Sequence, residues 1–160
     1  MRPVRYFGPI YFQPRRTNIV RVLIDQTVRQ MRPSRGATNT KLVVVIDDDP
    51  LVLQATDGLL RSWGCQVVAA ESYGAALVRL SEIKRRPDLI VCDYRLPRGA
   101  TGVDAIEGLR NAFEIPALLI SGDAAAPPAD SEHGSYNLLH KPLDAAKFRD
   151  ALVNASVLQP

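Results

Sequence analysis

Between positions 41 and 140, five short runs are rich in hydrophobic residues, and each is bounded by polar or turn-forming residues. Each run is four or five residues long, and most are rich in Val, Ile or Leu, which is typical of strands covered on both faces of a parallel sheet. The predicted strands span residues 42–46, 66–70, 89–92, 117–120 and 136–140.

Segments with helical spacing of apolar residues follow most of these strands. The predicted helices span residues 51–63, 73–83, 103–113 and 145–152. Gly64 fits the end of the first helix, and Ser72 and Asp144 fit the N-cap positions of the second and the last. Strands that alternate with helices predict β-α-β units, a parallel sheet and right-handed crossovers.

The segment between the fourth and fifth strands departs from this alternation. Residues 122–135 are rich in Ala and contain Pro127 and Pro128. Proline removes a backbone donor and clashes with the preceding helical turn. We therefore expect a (βα)5 order in which the fourth helix is weak or irregular.

Polar side chains stand at the carboxyl ends of four predicted strands. Asp47 and Asp48 follow the first strand, Asp93 the third, Ser121 the fourth and Lys141 the fifth. Ligands of open α/β sheets bind in the crevice outside the carboxyl ends of the strands. We therefore expect three carboxylates, a hydroxyl and an ammonium to converge on one crevice.

This combination of groups suits the formation of an aspartyl phosphate. Clustered carboxylates repel one another, so a cation or a raised pKa must compensate, and oxygen ligands suit Mg²⁺. A metal neutralises phosphoryl oxygens and lets one carboxylate attack phosphorus, while Lys141 and Ser121 offer a charge and a hydroxyl. Each feature alone has an ordinary explanation as a solvated acid or a helix cap, so the prediction depends on the four strand ends together.

Composition is consistent with a folded, cytoplasmic protein. Apolar residues make up 46% of the chain, which is enough for a core, and no apolar run approaches a membrane span. The N-terminus lacks the pattern of a secretory signal. Cys65 and Cys92 are too few for a disulfide framework and lack metal-site spacing, so we expect two buried, reduced thiols.

The positive charge is concentrated at the N-terminus. Residues 1–40 contain eight arginines and one acid, Asp25, for a formal charge of +7, whereas residues 41–160 carry −4. We predict a basic, flexible arm over residues 1–40 and a globular domain over residues 41–158. Arginines interleaved with aromatic residues are compatible with nucleic-acid binding, but a solvated tail is the simpler interpretation, so nucleic acid is not the expected partner.

Four segments together resemble the receiver domain of two-component response regulators. They are residues 44–50 (VVIDDDP), 89–97 (LIVCDYRLP), 119–122 (LISG) and 139–143 (LHKPL), and the resemblance covers about residues 41–156. It implies a flavodoxin-like, doubly wound five-stranded parallel sheet with strand order 2-1-3-4-5.

The resemblance also implies a role for individual residues. Asp93 is the implied phosphoacceptor, and Mg²⁺ is held by Asp47, Asp48, Asp93 and the backbone carbonyl of Arg95. Ser121 is the implied switch hydroxyl, and Lys141, which precedes a cis Pro142, the phosphate-binding lysine. The side chains of Arg95 and Asp123 flank the phosphoryl group, and we hypothesise that they pair and tune its lifetime.

Two features depart from the common receiver pattern. Leu138 occupies the switch position that usually holds an aromatic residue, so the usual output surface is not expected to work unchanged. The slightly long loop after Asp93 and the segment 138–143 resemble receivers of hybrid histidine kinases. We expect either a stand-alone receiver or a receiver segment of such a kinase.

Three classes of function agree with these features to different degrees. The first is a signalling module that takes phosphate from a histidine kinase or histidine phosphotransfer protein and then alters its binding to a downstream protein or to a second copy. The second is a phosphatase with an aspartyl-phosphate intermediate, which wants a second Asp where Arg95 stands, so we do not expect an enzyme. The third is a DNA-binding regulator, but no recognition helix is visible in the sequence.

Overall fold

The computed structural model describes residues 40–122 and 136–159. Within them, five parallel strands form one sheet in the order β2-β1-β3-β4-β5, as predicted. The strands are β1 (Leu42–Ile46), β2 (Gln66–Ala70), β3 (Leu89–Asp93), β4 (Ala117–Ser121) and β5 (Asn137–His140). β3 and β4 each run one residue further than predicted, because Asp93 pairs with Ile120 and Ser121 pairs with His140, and β5 begins one residue later than predicted.

Helices pack on both faces of this sheet. Those in the described residues are α1 (Pro50–Ser62), α2 (Tyr73–Ile83), α3 (Gly102–Arg110) and α4 (Ala145–Asn154), with a short 3₁₀ turn at Pro97–Gly99. None of these helices is long and apolar enough to cross a membrane. The predicted arm up to residue 39, the predicted irregular element at 123–135 and Asp123 lie outside the described residues.

Side-chain caps fix where the helices begin. Ser72 accepts a hydrogen bond from Ala75 N and Asp144 accepts one from Lys147 N, as the sequence predicted. Thr101 and Asp104 form a capping box that starts α3 one residue earlier than expected. The predicted end of that helix was wrong by three residues, since the chain turns after Arg110 and buries Phe113 in the core.

The sheet divides the core into two clusters. Alternate residues of a strand point to opposite faces, so Val44 and Ile46 pack with α2 and α3, whereas Val43 and Val45 pack with α1 and α4. Both cysteines are buried and free, as predicted, and burial raises the pKa of each thiol.

Gly102 lets the start of α3 lie directly against the end of β3. A Cβ at this position would overlap the carbonyl oxygen of Asp93 and would lie 2.8 Å from Leu119 Cδ1. Gly58, in the middle of α1, has no atom within 4 Å of the corresponding position. The two glycines therefore form a matched pair for substitution by alanine.

We predict that Gly102→Ala lowers the free energy of unfolding by about 1–3 kcal/mol, the usual cost of overpacking. Gly58→Ala should raise it by about 0.5–1 kcal/mol, because Gly is unfavourable inside a helix. Urea denaturation of both variants measures the difference. Equal stability of Gly102→Ala and the parent would contradict the close contact with Asp93.

Candidate functional site

The carboxylate of Asp93 is held from two sides at the end of β3. Its Oδ1 lies 2.6 Å from Lys141 Nζ, and its Oδ2 accepts a hydrogen bond of 2.8 Å from Arg95 N. The residue is only 8% exposed. Charge-assisted hydrogen bonds of this length are strong, so the carboxylate has a fixed orientation.

The register of β4 and β5 carries Lys141 to this carboxylate. Ser121 pairs with His140, and Lys141 N then donates a hydrogen bond of 2.8 Å to Ser121 O. Lys141 therefore leaves the sheet at its carboxyl edge, where Asp93 also ends. The peptide bond between Lys141 and Pro142 is cis.

Asp47 is the second buried carboxylate of the site. It follows β1, is 5% exposed, and accepts a hydrogen bond of 2.9 Å from Asp49 N. Burial raises the pKa of Asp47, and the charge of Asp93 adds to this effect. The hydrogen bond from Asp49 N and the charge of Lys141 oppose the shift without cancelling it. The pocket therefore disfavours the ionised form of Asp47.

Lys141 offsets part of this negative charge. Burial alone lowers the pKa of its ammonium, but the hydrogen bond and charge of Asp93, together with the charges of Asp47 and Asp48, outweigh that effect. The net shift raises the pKa of Lys141, so the ammonium is cationic at neutral pH. Among the described residues, the Lys141 ammonium faces the three acids Asp47, Asp48 and Asp93, so this part of the site keeps an excess of negative charge.

The other predicted site residues differ in exposure. Asp48 is exposed directly after Asp47, whereas Ser121 is 1% exposed at the end of β4. The Arg95 side chain is exposed. Leu138 is half-buried and packs against the core cluster shared with α2 and α3, and the buried Tyr136 belongs to the same cluster.

The donor chemistry of the site fits Mg²⁺. Within residues 40–122 and 136–159, no three acidic, His or Cys side chains are gathered into a ready-made metal cluster. Mg²⁺ does not require one, since it usually keeps several waters and takes one or two carboxylates from the protein. The carboxylates of Asp47, Asp48 and Asp93 and the carbonyl of Arg95 are the oxygen donors that would hold the ion, which would offset the buried negative charge.

Two residues at this edge have roles that sequence reasoning did not assign. Asp49 caps α1 by accepting hydrogen bonds from Leu51 N and Val52 N, so the third acid of the run is a helix cap. Pro50 at the first helical position is the signal that could have identified this cap. Gly102 contacts the Asp93 backbone, a tertiary contact that no local sequence signal reveals.

The sequence matches the family described as "Response regulator receiver domain" over residues 43–153. The chain belongs to this family. Two curated relatives of the receiver are the phyllosphere-induced regulator PhyR of Methylorubrum extorquens and the transcriptional regulatory protein KdpE of Mycobacterium tuberculosis. PhyR is 28% identical over 64% of this chain and 37% of its own length, and KdpE is 31% identical over 67% and 47%.

A solved receiver domain from Clostridium thermocellum has the same fold. It superposes with a TM-score of 0.64 at 24% identity and covers 72% of this chain and 93% of its own. The receiver spans less than half the length of the two curated relatives, so their whole-protein activities do not transfer to it.

We predict that Asp47→Asn stabilises the receiver in Mg²⁺-free buffer at pH 7, because it removes a buried charge that the fold disfavours. A gain of roughly 1 kcal/mol would raise the thermal midpoint by about 3–6 °C. Burial destabilises the ionised form of Asp47. The gain in stability from Asp47→Asn should therefore be largest at pH values above the raised pKa of Asp47. It should shrink as the pH falls toward the ordinary value of 3.8.

Asp88→Asn is the control with the opposite sign. Asp88 lies 3.4 Å from Lys41 Nζ and accepts a hydrogen bond from Leu42 N, so its charge is compensated. Its replacement should lower the thermal midpoint. A midpoint for Asp47→Asn at or below that of the parent receiver would contradict the account of the buried charge.

Proposed function

We propose that the receiver accepts a phosphoryl group on Asp93 from a phosphohistidine of a histidine kinase or histidine phosphotransfer protein. The 2.6 Å contact between Lys141 Nζ and Asp93 Oδ1 carries this proposal, because it puts an ammonium beside a buried, oriented carboxylate. The receiver is expected to accept the phosphoryl group whether or not it is joined to further domains.

The proposed transfer needs no reactant other than the phosphohistidine donor and Asp93. A carboxylate oxygen of Asp93 attacks phosphorus, the P–N bond to the donor imidazole breaks, and the leaving nitrogen keeps the electron pair. Lys141 then holds its charge against a phosphoryl oxygen, and the Ser121 hydroxyl donates to another. Bound Mg²⁺ would neutralise the phosphoryl oxygens.

Phosphorylation would be communicated through Lys141. In the unmodified receiver its ammonium is paired with Asp93, and it must pair anew once the carboxylate carries phosphate. Lys141 is joined to β4 through Ser121 O and leads into Asp144, the cap of α4. A change at Lys141 would therefore be passed to β4, β5 and α4, and we propose that the surface formed by β5 and α4 binds the downstream protein.

The receiver is proposed to be the substrate of the transfer rather than an enzyme acting on other molecules. Phosphatases that use an aspartyl nucleophile want a second Asp two residues later as acid and base, and this position is Arg95. An arginine does not deprotonate in proteins and cannot serve as that base.

We predict that the receiver gains one phosphoryl group when incubated with Mg²⁺ and phosphoramidate or acetyl phosphate, as measured by intact-protein mass spectrometry. Asp93→Asn should gain none, and Asp150→Asn, an exposed acid on α4, should react like the parent. Lys141→Met should react roughly tenfold or more slowly, since it removes a charge placed to stabilise the transition state.

Lys147→Met is the matched control for the lysine. Lys147 also pairs with an aspartate, but its partner is Asp144 at 3.6 Å and both side chains are largely exposed. Its removal should not change the rate. Labelling of Asp93→Asn to the same extent as the parent, or an unmodified parent after both donors, would overturn the proposed function.

We further propose that the side chains of Arg95 and Asp123, the latter outside the residues that the structure describes, together lengthen the lifetime of the aspartyl phosphate. Arg95 is exposed and stands two residues after the phosphoacceptor, and Asp123 stands two residues after Ser121 in the sequence. Replacing both by Ala should shorten the phosphate lifetime by a factor of a few, timed as loss of label after removal of the donor. An unchanged lifetime would exclude the pair from this role.

A further inference from the structure

An apolar cleft opens beside Asp93, between α1 and α4. Its volume is about 360 Å³, within the range of small-ligand sites. Asp47, Asp93, Asp144 and Lys141 form its charged lining at the carboxyl edge of the sheet. The remaining lining is mostly aliphatic, so the cleft joins an apolar interior to one ammonium and three carboxylates, whose excess negative charge a bound Mg²⁺ would offset.

The floor of the cleft is apolar immediately beside the reacting carboxylate. Ile120 pairs in register with Asp93 on the neighbouring strand and lines the cleft. It is partly exposed although β4 is an inner strand of the sheet. Val45 and Val91 continue this floor on β1 and β3.

Small side chains keep the cleft open on both walls. Ala55 lies on the α1 side and Ala145 on the α4 side, and both line the cleft. A larger residue at either position would occupy the space between the helices. Ala146, the next residue of α4, is also exposed but does not line the cleft.

We infer that this cleft receives the apolar tail of a small-molecule acyl phosphate, so that the receiver prefers short-chain acyl phosphates such as butyryl phosphate to acetyl phosphate as direct donors. The inference rests on the proposed function and names a substrate class for the same site. Lys141 and a bound Mg²⁺ would hold the anionic head beside Asp93, and the aliphatic floor and walls take the methylenes out of water.

The transfer from such a donor is chemically complete. A carboxylate oxygen of Asp93 bonds to phosphorus, and the P–O bond to the acyl group breaks. The acyl group leaves as a carboxylate with the electron pair, so no proton has to be supplied at neutral pH. The tail stays in contact with the cleft until the carboxylate departs.

The single tryptophan gives a readout that does not depend on phosphorylation. Trp63 lies with its ring centroid 5.9 Å from that of Phe148, and Phe148 lines the cleft. A tail that packs against Phe148 should change the environment of the neighbouring Trp63 and hence its fluorescence. Alkylphosphonates, which cannot transfer their phosphorus, measure binding alone.

The first experiment titrates the receiver with methylphosphonate and with butylphosphonate in Mg²⁺ and follows Trp63 fluorescence. Butylphosphonate should bind roughly tenfold more tightly, since each fully buried methylene contributes up to about fourfold. Ala145→Leu should remove this difference and Ala146→Leu should keep it. Equal affinities for the two phosphonates in the parent receiver would overturn the inference.

The second experiment compares phosphorylation by butyryl phosphate and acetyl phosphate at equal, subsaturating concentrations. Butyryl phosphate should react several-fold faster, and the ratio of the two rates should fall toward one in Ala145→Leu but not in Ala146→Leu. Equal rates in the parent would overturn the donor preference while leaving the proposed function standing. Absence of labelling by both donors would overturn the proposed function and the inference together.

Discussion

The contact between the Lys141 ammonium and the Asp93 carboxylate is the interaction on which this site depends. It joins the ends of two strands, β3 and β5, that are separated in the sheet by β4. It also offsets part of a negative charge that the fold keeps partly buried, as the raised pKa of Asp47 shows. A site with excess negative charge and an ammonium beside the reacting carboxylate is suited to take up a divalent ion and a phosphoryl group.

The register of the strands brings these side chains together. The pairing of Ser121 with His140 determines where Lys141 leaves β5. The pairing of Ile120 with Asp93 determines the position of the carboxylate along β3. Gly102 then allows α3 to begin directly against the Asp93 backbone. Because the same strands end beside an apolar floor, the geometry that orients the carboxylate also creates the cleft next to it.

The sequence predicted the sheet and the identity of the residues at its edge because both follow from short-range patterns. Five apolar runs separated by helical segments leave few alternatives to a parallel sheet, and the carboxyl ends of parallel strands share one edge. The sequence did not predict that the three neighbouring acids have different environments. Asp47 is buried, Asp48 is exposed and Asp49 caps α1. These differences, like the contact at Gly102 and the cleft beside Ile120, arise only when distant segments pack together.

The most direct test is a crystal structure of the receiver with Mg²⁺ and beryllofluoride, a stable mimic of the phosphoryl group. The account predicts beryllium bonded to a carboxylate oxygen of Asp93, with Lys141 Nζ and Ser121 Oγ each about 3 Å from a fluoride. It also predicts Mg²⁺ on the oxygens of Asp47 or Asp48. Beryllofluoride absent from Asp93 at saturating concentration, or bound there with Lys141 turned away, would contradict it.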